Sequence, residues 1–210
     1  MNATSPRPVS PDDEKRLASM GLSVELIHAA FRHGLSRAAN RTSLALRSTP
    51  GTDIYHDAME HLHLLLVETG WRLVYVRQQP RLQHPTRLFE FTVSSGRYVA
   101  RDAYTPPRTG QKGPATRDSL CEPQVLMEPL LPLQDPPQSG DGYIPLWFLI
   151  HERTDRGLYL ELSLPEAMSS SGMVNGWRDR IFIPFLDLDG DLSVFDRLPG
   201  DDFNVIVEPR

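Results

Sequence analysis

Residues 143–186 read YIPLWFLIHERTDRGLYLELSLPEAMSSSGMVNGWRDRIFIPFL, and the fold follows from this stretch. Leu158, Leu160, Leu162 and Leu164 alternate with Tyr159, Glu161 and Ser163, the period-two pattern of a strand with one buried face. Leu146–His151 precedes it as an apolar strand, and Thr154-Asp155-Arg156-Gly157 supplies turn residues between the two. Trp177–Pro184 alternates again, with Ile181 and Ile183 on one side and Arg178, Arg180 and Phe182 on the other. Three strands with short joins predict an antiparallel meander on which the rest of the chain packs.

Upstream the period changes. Pro11-Asp12-Asp13-Glu14 opens a short helix ending near Gly21, with proline and acids where a first turn favours them. Ser23 caps a second helix running to about Ala39, whose apolar face carries Ile27, Ala30, Phe31, Gly34 and Ala38. A third runs from Thr52 or Asp53 to Thr69 and is closed by Gly70. Its main stripe is Ile54, Tyr55, Ala58, Leu62, Leu65 and Leu66, with Leu64 and Val67 on another side, so cover on two faces is expected. Strands follow at Trp71–Arg77 and Leu88–Ser94. Ser95-Gly96 reads as a turn into a further strand at Arg97–Ala103, Gln78–Arg87 as a loop, and Phe203–Val207 as a last strand. The expected architecture is α+β: N-terminal helices packed on a mainly antiparallel sheet of six or seven strands. Residues 1–20 are expected to form a flexible N-terminal segment, and 21–210 a single domain. A proline-rich insertion at 104–144, with eight prolines, is long enough to suggest a functional loop.

Composition narrows the function classes. Of 210 residues, 40% are hydrophobic and 23% charged, ordinary values for a globular chain. The single cysteine, Cys121, excludes an internal disulfide, and no apolar run is long enough for a membrane span. With no apolar leader at the N-terminus, the expectation is a cytoplasmic protein without membrane association. Lys15 and Lys112 are the only lysines. Charge is segregated: residues 187–210 hold seven acids against two arginines, net −5, whereas 71–117 hold nine bases against two acids, net +7. Such segregation marks either a binding surface or two segments that neutralise each other.

Several constellations are candidate sites. His56, Glu60 and His63 fall within about 60° on one helix face, a spacing that can hold a divalent metal. The competing reading is a solvated helix face, since the carboxylates that di-metal bundles take from further helices are missing. Thr109-Gly110-Gln111-Lys112-Gly113-Pro114-Ala115-Thr116 puts a glycine-flanked lysine before a helix start, where an anion can bind. It is not a phosphate-binding Walker loop, and Gly113-Pro114 is also ordinary helix entry. Asp187-Leu188-Asp189-Gly190-Asp191 departs from calcium-loop spacing and reads as an acidic turn. Arginines across 72–117, Arg101 and Arg108 among them, alternate with aromatics in a pattern compatible with stacking and phosphate contact, against a pI of about 5.8. No G-x-S-x-G is present; Glu60, Glu90 and Glu161 could serve as metal ligands of a nuclease core, but no lysine follows Glu161 nearby to orient a water.

Gly70-Trp71, Lys112-Gly113-Pro114-Ala115-Thr116, and Glu161-Leu162-Ser163-Leu164-Pro165 followed by Gly176-Trp177-x-x-Arg180-Ile181 together resemble an uncharacterised family of bacterial proteins. The resemblance spans roughly residues 20–190 and implies a stand-alone bacterial domain, bringing no activity, cofactor or site residues. The leading expectation is a non-catalytic binding or protein-interaction module with a protein partner and no cofactor. Its binding residues are Lys112, Arg101, Arg108, Arg180 and Glu161. The alternatives are a metal-dependent hydrolase or nuclease using His56, Glu60 and His63, and nucleic-acid binding through 72–117.

Overall fold

A computed structural model describes residues 10–120 and 144–188. Helix α1 (Pro11–Ser19) starts at Ser10, whose side chain accepts from Asp12 N–H, and α2 (Val24–Ala39) starts at Ser23, which accepts from Leu26 N–H. Helix α3 (Thr49–Leu66) continues into a 3₁₀ turn at Val67–Thr69 and ends at Gly70. It starts a turn earlier than expected because Pro50 fits the first turn, where no helical N–H is needed. The strands are β1 (Arg72–Val76), β2 (Gln79–Gln83), β3 (Glu90–Arg97) and β4 (Arg108–Thr109), then β5 (Leu146–Arg153), β6 (Gly157–Met168) and β7 (Val174–Asp187). A short α4 (Pro114–Leu120) lies between β4 and β5.

Six strands follow the order β1-β2-β3-β5-β6-β7, and β4 joins β3 from outside that path. The meander of β5, β6 and β7 is antiparallel, with Leu149 opposite Leu162 and Leu162 opposite Ile181. The α+β class holds, with two amendments. The helices are not all N-terminal, since α4 comes late, and the sheet is mixed because β3 and β5 run parallel, Phe91 opposite Trp147 and Ser95 opposite His151. Parallel neighbours need a long crossover, and the segment from Tyr98 to Pro145 supplies it.

Other expectations change locally. Gln79–Gln83 is a strand rather than a loop, joined to β1 by the two-residue turn Arg77-Gln78 with φ of 47° and 67°. Val76 pairs with Gln79 across it. Two left-handed residues in a row suit the twist of a tight hairpin. Strand β3 continues through Ser95 and Gly96 to Arg97 instead of turning there, and no strand forms at 98–103. Residues 11–20, assigned to a flexible segment, carry a packed helix: Leu17 is fully buried, and Arg16 pairs with Asp179 of β7. Leu64 and Val67 are exposed, so the second face of α3 is not covered among the described residues. The expected strand at Phe203–Val207, most of the acidic turn, residues 1–9 and the 121–143 part of the proline-rich insertion lie outside the described residues.

The main core lies between the helices and one sheet face. Ile27, Phe31, Ile54, Ala58 and Leu62 meet Phe91, Val93, Trp147, Leu149, Leu160, Leu162 and Ile181. Gly34 lets α2 and α3 approach closely: a Cβ there would lie 2.7 Å from Ile54 Cα. The other sheet face carries a smaller cluster of Leu146, Phe148 and Ile150, covered by Val99 and Ala100. No helix among the described residues is long and apolar enough to cross a membrane.

Candidate functional site

Strand alternation determines what reaches the helix-side core and what does not. On β5, Trp147 and Leu149 face the helices, so His151, two further along, has the same orientation. Its ring lies 5.7 Å from that of Phe31 on α2. His151 is only 2% exposed, and neither Nδ1 nor Nε2 has a hydrogen-bond partner among the described residues. A buried polar atom without a partner costs on the order of 1–3 kcal/mol, so the arrangement requires a reason. On β3, Phe91 and Val93 face the helices, which places Ser94 on the opposite side.

Lys112 reaches Ser94. Its Nζ donates to Ser94 Oγ and lies 5.1 Å from the centroid of the Phe148 ring. The backbone is fixed from the β6–β7 turn, where Lys112 N–H donates to Gly172 O at 2.8 Å. Gly172 has φ of +83°, and a Cβ there would come 2.6 Å from Lys112 O, so this close approach requires glycine. Arg117 adds a second tie to the same turn through Ser170 O at 2.9 Å. Burial pushes the Lys112 amine down to about 8. Burial, reinforced by the Lys112 charge, pushes His151 down to about 4, leaving its imidazole neutral near pH 7. No carboxylate among the described residues forms an ion pair with Lys112.

These groups share one cleft of about 550 Å³ with the start of α3. Lys112, His151, Ser94 and Ser95 form its floor; Ser48, Gly51, Thr52, Tyr55 and His56 form the α3 wall, and Arg47 stands beside them. Every cation or potential N–H donor here favours negative charge, as does the amino end of an 18-residue helix. The chemistry available is anion capture at a part-buried ammonium, with an uncharged imidazole that can donate from one nitrogen and accept at the other.

The other sequence candidates separate into distinct places. Glu161 and Arg180 form a closed structural unit on the opposite sheet face. Arg180 donates from Nη2 to Glu161 Oε2 at 2.9 Å and from Nε to Oε1 at 3.1 Å, and Ser163 Oγ and Ala100 N–H complete the carboxylate at 2.7 Å each. A further Arg180 N–H donates to Asp102 O at 3.1 Å, tying down the loop after β3. Arg101 pairs with Glu152 at 3.5 Å and lies 4.4 Å from the Tyr159 ring, while Arg108 lies over Tyr98 at 5.7 Å. Of the expected binding residues, only Lys112 lines the cleft.

His56, Glu60 and His63 line an adjoining hollow of about 390 Å³ with Met59, Leu73 and Tyr75, and His56 and Tyr55 border both it and the cleft. Among the described residues, no three His, Cys, Asp or Glu side chains group closely enough to hold a metal ion. In the basic segment, Arg77 pairs with Asp118 at 2.6 Å and buried Arg81 with Glu90 at 3.1 Å. Among the described residues, the partners of these arginines and of Arg101 come from within 90–152. His151 and Ser94 were missed from sequence. The available signal for His151 was a histidine in register with Trp147 and Leu149, on the face where a strand otherwise buries apolar side chains. Comparison with protein-family models, curated proteins and solved structures finds no match for this chain.

Proposed function

We propose that this protein is a non-catalytic binding domain that holds a small anionic molecule in the cleft between α3 and the ends of β3 and β5. The observation that carries this reading is the part-buried Lys112 ammonium at the floor of that cleft, hydrogen-bonded to Ser94 and without a carboxylate partner among the described residues. A buried charge without a counter-charge is costly. An anionic ligand would offset that cost, and the unpartnered His151 nitrogens would be satisfied in the same event. Arg47 and the first turn of α3 add favourable potential at the rim.

Calorimetric titration with a panel of small carboxylates and phosphates tests the reading. Wild-type protein should bind at least one class with a Kd in the micromolar to low millimolar range, and Lys112→Met should abolish binding while remaining folded by circular dichroism. Heat-silent titrations across the panel, or binding unchanged in Lys112→Met, would remove the proposal.

A further inference from the structure

We infer that Lys112 is a reactive amine that captures the carbonyl group of a small anionic aldehyde or ketone in the cleft as an imine. This rests on the anion-binding reading and deepens it by naming the ligand class. The geometry combines three features that imine chemistry needs. The amine faces a cavity roomy enough for a small molecule, at about 550 Å³. It is backed by the Phe148 ring and held by Ser94 rather than tied up in an ion pair. The Ser94 hydroxyl is hydrogen-bonded to it and can relay the protons that carbinolamine formation and dehydration move, and the His151 imidazole lines the same cavity.

The step balances without an oxidant or reductant. Neutral Lys112 Nζ attacks the carbonyl carbon, forming a C–N bond, and the carbonyl π pair goes to oxygen, which takes a proton. The carbinolamine C–O bond then breaks, and one water leaves. The resulting imine, when protonated, keeps the positive charge beside the ligand's own anionic group, which Arg47 and the α3 amino end face from the other wall. The charged and titratable groups lining the cleft around Lys112 are His151 from β5, His56 and Tyr55 from α3, and Arg47 before it. None of them is an acid that would hold the ammonium protonated.

Lowered basicity supports this. With the amine at about 8, roughly 10% is neutral at pH 7, against ~0.04% for an ordinary lysine. The other lysine, Lys15, lies exposed on α1 and provides an internal reference.

The test uses glyoxylate as the probe. The full chain is incubated with it at pH 7, any imine is trapped with cyanoborohydride, and the site is mapped by peptide mass spectrometry. Lys112 should be modified on the order of tenfold to a hundredfold faster than Lys15, with the reaction slowed by a competing carboxylate identified by calorimetry. Lys112→Arg, which keeps the charge but cannot form this adduct, should still bind the carboxylate and show no trapped product beyond the background on Lys15 and the α-amino terminus. Modification of Lys112 no faster than Lys15, with carboxylate binding intact, would overturn the imine and leave the anion site standing. Loss of both binding and labelling in wild-type protein would overturn both.

Discussion

The Lys112 ammonium lies 5.1 Å from the centroid of the Phe148 ring, on the sheet face away from α1–α3, and yet opens into the cleft that α3 bounds. The β2–β3 ladder makes this possible by stopping early. It pairs Leu82 with Phe91 and Gln83 with Glu90, and β3 then continues past Thr92 to Ser95 with β5 as its registered neighbour. A side chain from beyond β4 can therefore meet Ser94 where two layers of the fold adjoin.

Burial lowers the Lys112 amine from its ordinary 10.5 to about 8, so the folded state releases this proton before the unfolded state does. Between these values the unfolded chain binds more protons, and stability must rise with pH across about 8 to 10.5. Lys112→Met should flatten that alkaline rise and raise stability at pH 7, because it removes a desolvated charge. Urea midpoints for the two proteins at pH 7 and pH 10 measure this directly; a variant less stable than wild type at pH 7 would contradict it.

His151 gives the matching effect in acid. Its folded-state value of about 4 lies below the ordinary 6.5, so stability is present above the unfolded value and falls as pH drops from 6.5 towards 4. The full loss is about 3 kcal/mol, reached near the folded-state value. Replacing His151 by Leu should remove this component while leaving the steeper losses below pH 4, where carboxylates such as Asp53, held low by Arg41, take up protons. Denaturation curves for both proteins at pH 7, 5.5 and 4.5 resolve the difference, and parallel pH profiles would refute it.

Glu161 is fully buried and accepts from Arg180, Ser163 and Ala100. Glu161→Ala leaves a guanidinium without its counter-charge and frees the loop after β3, at a cost of about 3–5 kcal/mol. The effect should appear in urea unfolding, with anion affinity at 20 °C changed little in whatever fraction stays folded. A variant within 1 kcal/mol of wild type, on the ~1 kcal/mol scale of an exposed pair, would show that the unit contributes no more than a surface salt bridge.

Gly172→Ala should affect stability and binding together. The left-handed backbone and the 2.6 Å approach to Lys112 O both oppose a Cβ. The turn must shift, carrying the 110–113 segment and the lysine with it. A loss of about 1–3 kcal/mol with at least tenfold weaker anion binding is expected. Binding preserved in the variant would mean that the turn does not position Lys112.

Much of the scaffold was legible in the sequence, for local reasons. Ser23 before Val24 and the alternation of Leu158, Leu160 and Leu162 each act through short-range geometry that a linear reading captures. The β1–β2 hairpin was hidden because Arg77-Gln78 carries none of the Asn or Gly that ordinarily marks two left-handed residues. The parallel β3–β5 pair was hidden because short joins elsewhere suggested a simple meander, while this pairing joins strands far apart in the chain. Lys112 stood out by its glycines, but its bond to Ser94 and the cleft it shares with His151 join residues from three separated segments. Glu161 and Arg180, equally conspicuous, pair with each other on the far sheet face.

The most direct test exploits the chain's two lysines. Protein labelled with ¹³C at lysine Cε gives one signal each for Lys15 and Lys112, assigned by Lys15→Arg. The account requires the Lys112 signal to titrate near 8 and to shift upward by a unit or more in the presence of a saturating anion, while Lys15 is unmoved. Two lysines titrating together above 10, with neither responding to any carboxylate or phosphate, would contradict it.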